Sequence, residues 1–297
     1  MIAPKPRSKL TPWPWKDWMT IGIGVLARQE SLRNDANANP NTIILMADTL
    51  GSWADQYSHG RVHKAICFPK EQIYAVAANR IDKASEFMPM IAATLGSIQP
   101  ADREYAHILH SIVMSAHNYK RERFNIEIVS KFFVTPFNLE ALQRLPDPVQ
   151  GEARKAWEEF DIGVDLVIGT FDGRGRAFLF VIDGRGTVEN LTFPGYAAIG
   201  SGGDNAMFWL GYREHVLSMS PRRAAYHAYE AKLMAEKSPH VNSELDIVFA
   251  QPGACEVISS HHPPVGKSIA PFDRETLKAW HRQFRPRKTL KLDEDQL

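Results

Sequence analysis

Three strand-length apolar runs, Val164–Gly169, Ala177–Ile182 and Thr187–Thr192, are separated by Asp172-Gly173 and Asp183-Gly184. Asp-Gly between such runs marks a hairpin turn, because glycine accepts the positive φ that tight turns require. The stretch therefore predicts an antiparallel meander, and the glycines at 173, 175, 184 and 186 are its turn residues. A meander has two faces to cover, so the rest of the chain must supply further layers.

Upstream, Met19–Ala27 reads as a half-buried strand, with Ile21, Ile23 and Val25 on one face and small residues on the other. A polar loop from Arg28 to Asn41 leads to a second strand, Thr42–Ala47, which ends at Asp48-Thr49. Val62–Phe68 and Gln72–Ala78 form a strand pair around Pro69-Lys70-Glu71. The apolar period becomes helical over Asp82–Leu95 and Asp102–Tyr119. The region from Lys120 to Gly151 carries a short strand at Phe132–Val134 and a helical turn at Leu139–Arg144. After the meander, Tyr196–Ile199 enters Gly200-Ser201-Gly202-Gly203, and a helix follows over Asn205–Leu217. Ser220-Pro221 then opens another, with serine as N-cap and proline in the first helical position. A strand at Leu245–Ala250 and a helix at Asp273–Arg285 complete the order. Strands and helices segregated in this way predict an α+β fold, two antiparallel sheets face to face with helices outside.

At 297 residues the chain can bury a substantial core. A net charge of +1 gives no reason to expect nucleic acid or an anionic membrane surface as a partner. Cys67 and Cys255 are the only cysteines, which fits a reducing compartment, and the cytoplasm is the default location. Met1–Trp18 is proline-rich, with Trp13, Trp15 and Trp18 where a secretory signal would have its apolar core, and reads as an extended tail.

Thr20 stands at the head of the first strand, directly after a methionine. If the chain were cut there, its hydroxyl would lie beside its own α-amine, a nucleophile with a built-in base. The ordered set Thr20, Asp48, Lys64 and Gly200-Ser201-Gly202 resembles the N-terminal-nucleophile hydrolases. Within them it is most similar to the proteasome β-subunit branch, which includes the peptidase subunit of the bacterial ATP-dependent ring protease. Met46-Ala47-Asp48-Thr49 and Ala198–Gly203 with its following helices are the closest local matches.

The resemblance implies a four-layer αββα sandwich over residues 20–253, after an N-terminal extension or propeptide at 1–19 and before a C-terminal extension at 254–297 with one helix. It implies a threonine-type peptidase or amidohydrolase, with Thr20 attacking the carbonyl, Lys64 supplying positive charge, Asp48 holding Lys64, and Ser201 near the α-amine. Ala78 and Asn79, with Gly200 and Gly202, would form the oxyanion and substrate-binding backbone. It also implies a peptide or protein substrate, a homo-oligomer, an unfoldase as candidate partner, and no cofactor or metal.

The chain departs from the family pattern at Ala78 (usually glycine), at Leu50 (usually arginine), and at His240, which stands where a late aspartate is expected. The alternative is a catalytically silent structural or interaction subunit, with Thr20 an ordinary strand residue, Asp48–Lys64 a structural ion pair and Ser201 part of a turn. Thr20 would be exposed either by autocatalytic removal of 1–19 or by initiation at Met19. His107, His110 and His117 share a helix side without matching carboxylates or cysteines, and read as surface histidines. His261-His262-Pro263-Pro264 reads as a loop, and Gly266-Lys267-Ser268 lacks the earlier glycine of a phosphate loop.

Overall fold

Strand β1, Ile21–Ala27, is buried on both faces rather than one. Ile21, Ile23 and Val25 face a helical layer. The opposite side carries Gly22 and Gly24, and a Cβ at Gly24 would stand 2.6 Å from Val167 Cγ1 of the other sheet. Gly169 answers from that sheet, where a Cβ would stand 2.5 Å from Ile43 Cγ2. The small residues that look like a solvent face in the sequence are where two sheets approach each other.

The computed structural model describes residues 20–29, 32, 39–49, 63–128, 147–238, 241–259 and 268–284. The N-terminal tail, Met19, Leu50, the Phe132–Val134 and Leu139–Arg144 segments, His240 and the 261–267 loop lie outside them, as does most of the 28–41 loop. Among the described residues there are two five-stranded antiparallel sheets and six α-helices. The first sheet joins β1, β2 (Thr42–Ala47), β8 (Tyr196–Gly200), β9 (Asp246–Gln251) and β10 (Ala254–Ser259) in the order β10-β9-β2-β1-β8. The second runs in chain order: β3 (Ala65–Phe68), β4 (Ile73–Asn79), β5 (Val164–Phe171), β6 (Ala177–Ile182) and β7 (Val188–Asn190).

Leu26, Ile43 and Leu45 meet Tyr74, Val76 and Val167 in a core between the sheets. Outside the second sheet lie α1 (Ile81–Gly96) and α2 (Tyr105–Glu127), which bury Phe87, Ile91, Ile108 and Ile112 against it. Helix α3 (Asp147–Glu159) adds Trp157 at the edge of that core. Outside the first sheet lie α4 (Gly203–Tyr212), α5 (Pro221–Ala235) and α6 (Arg274–Phe284). Helix α5 buries Ala224, Ala225, Ala228 and Ala231, and Ser220 caps it by accepting from the Arg223 N–H.

Both meander turns are built alike. Asp172 Oδ1 accepts from the N–H groups of Arg174 and Arg176, and Asp183 Oδ1 from those of Arg185 and Thr187. The residues with positive φ are Gly175 and Gly186, so each aspartate organises a longer loop instead of a two-residue turn. Two elements extend the sequence reading. Strand β10 lies past Gly253 yet forms the edge of the first sheet, and Leu277 of α6 is fully buried in its outer core. The described residues 254–259 and 268–284 thus pack with the first sheet and its outer core. No described helix is long and apolar enough to cross a membrane.

Candidate active site

The end of β1 at Thr20 is pinned from three directions. Its neighbour Ile21 donates its N–H to Asp48 Oδ1 at 3.0 Å, and the Asp48 N–H donates back to the Ile21 carbonyl at 3.3 Å. Across the sheet Ile21 pairs with Gly200, which has φ +87°. A Cβ at Gly200 would stand 2.0 Å from the Thr20 carbonyl oxygen, so only glycine fits there. Strand alternation places the Thr20 side chain on the same side as Gly22 and Gly24, toward the second sheet. Thr20 is buried, and its Oγ1 has no hydrogen-bond partner. An unpaired buried hydroxyl costs about 1–3 kcal/mol, and such groups call for a functional or strain explanation.

Lys64 comes from the second sheet. The Ala77 N–H donates to its carbonyl at 3.0 Å, continuing the β3–β4 ladder by one step. Its Nζ donates to Asp48 Oδ1 at 2.7 Å, and both side chains are withdrawn from solvent. Burial pulls the Lys64 pKa below the ordinary lysine value, against the opposing pull of Asp48 and, more weakly, Asp246. One carboxylate oxygen thus ties an amine of reduced basicity to the residue next to Thr20.

The remaining candidates fall into two groups. Ala78 joins the site: it lies in the core between the sheets, its Cβ 3.3 Å from where a Gly200 Cβ would be. Carrying the β1–β8 register one residue further sets Ser201 opposite Thr20, in an exposed turn before α4. Asn79 ends β4 with φ +66°, and its side-chain Nδ2 donates to Asp165 Oδ2 at 2.6 Å. Its side chain is engaged there, while its backbone stays at the Ala78 end of the strand. Gly202 packs against α5, where a Cβ would stand 2.7 Å from Ala235 Cβ, and it serves helix packing.

Sequence reasoning passed over Asp246. It is fully buried at the head of β9, opposite Ala47 in the ladder, and its Oδ2 lies 3.1 Å from His63 Nδ1. Its charge acts on Lys64. The one available signal was a carboxylate opening an otherwise apolar run, Asp246-Ile247-Val248-Phe249. Lys232 of α5, also buried, donates to the Asn242 carbonyl at 2.7 Å and to Glu236, and the field of Asp48 reaches it.

No protein-family model and no curated protein matches this sequence.

Proposed function

We propose that this chain is a threonine-type peptidase or amidohydrolase of the N-terminal-nucleophile class, with the four-layer αββα fold of the proteasome β-subunit branch. The observation that supports it is Asp48 Oδ1, which accepts at once from the Ile21 backbone and from buried Lys64. That shared acceptor fixes Lys64 to the residue that follows Thr20. Removal of residues 1–19 would free the Thr20 amine.

The Thr20 Oγ then attacks the substrate carbonyl while its proton passes to the α-amine. Positive charge on Lys64 favours the developing alkoxide, and backbone N–H groups at the Ala78–Asn79 end of β4 stabilise the oxyanion. The leaving amine takes the proton, an ester remains on Thr20, and water hydrolyses it. Asp246 adds a second negative charge beside Lys64. The substrate class is a peptide or protein amide, and assembly as a homo-oligomer belongs to the same proposal. Where residues 1–19 stay attached, the buried Thr20 has no free amine and the chain acts as a silent subunit.

The test is turnover of a fluorogenic peptide-amide panel by the protein as purified from cells. Thr20→Ala and Lys64→Ala should each lower kcat/KM by about 10³-fold or more, with Thr20→Ala keeping the wild-type circular dichroism spectrum. Unchanged turnover in Thr20→Ala would place the nucleophile elsewhere.

A further inference from the structure

Strand β3 is one edge of the second sheet and β10 one edge of the first. Each carries one of the chain's two cysteines, Cys67 and Cys255. Alternation along β3 turns Ile66 and Phe68 toward the helical layer, and Ala65 and Cys67 toward the other sheet. On β10, Cys255 lies opposite Ala250 and packs against the same core between the sheets, whereas Ile258 faces the outer layer. The two side chains meet there, the Cys67 thiol donating a hydrogen bond to Cys255. Both are free and half-buried, so solvent reaches the pair at the edge of the sandwich.

The thiolate is the reactive form of cysteine, and a hydrogen bond from a neighbouring thiol stabilises it. The bond from Cys67 draws the Cys255 pKa below the ordinary cysteine value, against the push of burial. Cys67, as the donor, is pushed up by that same bond and by burial. Tyr74 stands directly opposite Cys67 in the β3–β4 ladder, and its buried hydroxyl has no hydrogen-bond partner. Charge on either sulfur acts on that hydroxyl, which leaves an uncommitted donor beside the pair.

We propose that Cys67 and Cys255 are a redox pair, which a peroxide closes into a disulfide between the edge strands of the two sheets. The Cys255 thiolate attacks one peroxide oxygen, the O–O bond breaks, and the departing hydroxide takes up a proton to become water. The Cys67 sulfur then attacks the resulting sulfenic acid at sulfur. An S–S bond forms, the S–O bond breaks, and the hydroxide leaves as water with the Cys67 proton. Two thiols and one hydrogen peroxide thus become one disulfide and two waters, the sulfurs losing the two electrons that the peroxide gains. In a reducing compartment the pair stays open until an oxidant arrives, and a dithiol reverses the step. This chemistry is independent of hydrolysis at Thr20.

The test treats the protein as purified, first reduced and then freed of reductant, with hydrogen peroxide under native conditions. Peptide mapping without reductant should show two peptides joined through Cys67 and Cys255, and the intact mass should fall by two hydrogen atoms. Dithiothreitol should restore both thiols, and the circular dichroism spectrum should match that of the reduced protein throughout. Cys67→Ser should stop at a sulfenic acid on Cys255, trapped as its dimedone adduct. Thiols that stay titratable in the folded protein and join only after urea, as two merely packed apolar residues would, or that join only between chains, would overturn the proposal.

Discussion

Asp48 and Lys64 form a 2.7 Å ion pair with side chains 0% and 3% exposed, and the carboxylate oxygen that holds the lysine also holds the Ile21 N–H. Two sheets are tied at one end through that single atom. Removing one member of a buried pair leaves an uncompensated charge, which costs about 3–5 kcal/mol. Asp48→Ala should therefore lower unfolding free energy by that amount in urea titration. Lys64→Met should cost less, because Asp48 keeps its bond to Ile21. Equal small losses below about 1 kcal/mol would show that the pair is not the tie.

Gly200 tests the backbone side of the same junction. Alanine there meets both an unfavourable φ of +87° and the Thr20 carbonyl. Gly200→Ala should cost about 2 kcal/mol or more by thermal melting and should abolish turnover, since relief of the clash moves Thr20. Gly151, in a helix with open space around its Cβ position, is the control: Gly151→Ala should be neutral or stabilising.

Acid should weaken the fold through His215 and His227. Burial depresses both to about 4, and His215 Nε2 sits 3.0 Å from the Leu26 carbonyl, to which it donates. Below the ordinary value of about 6.5 the unfolded chain binds protons that the folded chain refuses, so stability falls as pH drops from about 6.5 toward 4. Asp165 acts in the opposite sense: burial raises it to about 6, so protonation there favours the folded state as pH falls. His227→Leu should flatten the acid loss by about 2–3 kcal/mol between pH 7 and 4.5, measured by chemical denaturation. An unchanged slope would contradict the assignment.

Much of this architecture was legible because the signals were local. The Thr42–Ala47 run, the Ser220-Pro221 cap and the apolar run of β4 each follow from residues next to one another. Strand β10 was missed because Ala254–Ser259 alternates weakly and includes Glu256, and its place depends on pairing with β9. Helix α3 opens on Asp147-Pro148 and fully buries none of its residues, so few apolar positions mark it. The doubly buried state of β1 could not be read from Gly22 and Gly24, since glycine looks the same against water or a second sheet. At the site, Thr20, Asp48 and Lys64 stood out by order, whereas Asp246 acquires meaning only once β9 is laid beside β2. Asn79 stood out by position, yet its side chain is drawn to Asp165, a partner 86 residues away.

The most direct measurement is the intact mass and N-terminal sequence of the protein purified from cells. Hydrolysis by Thr20 requires a chain that begins at Thr20, and such a chain should lose turnover when its α-amine is acetylated. A stable, fully folded chain that still carries Met19, and keeps it on prolonged incubation, would contradict the proposed chemistry.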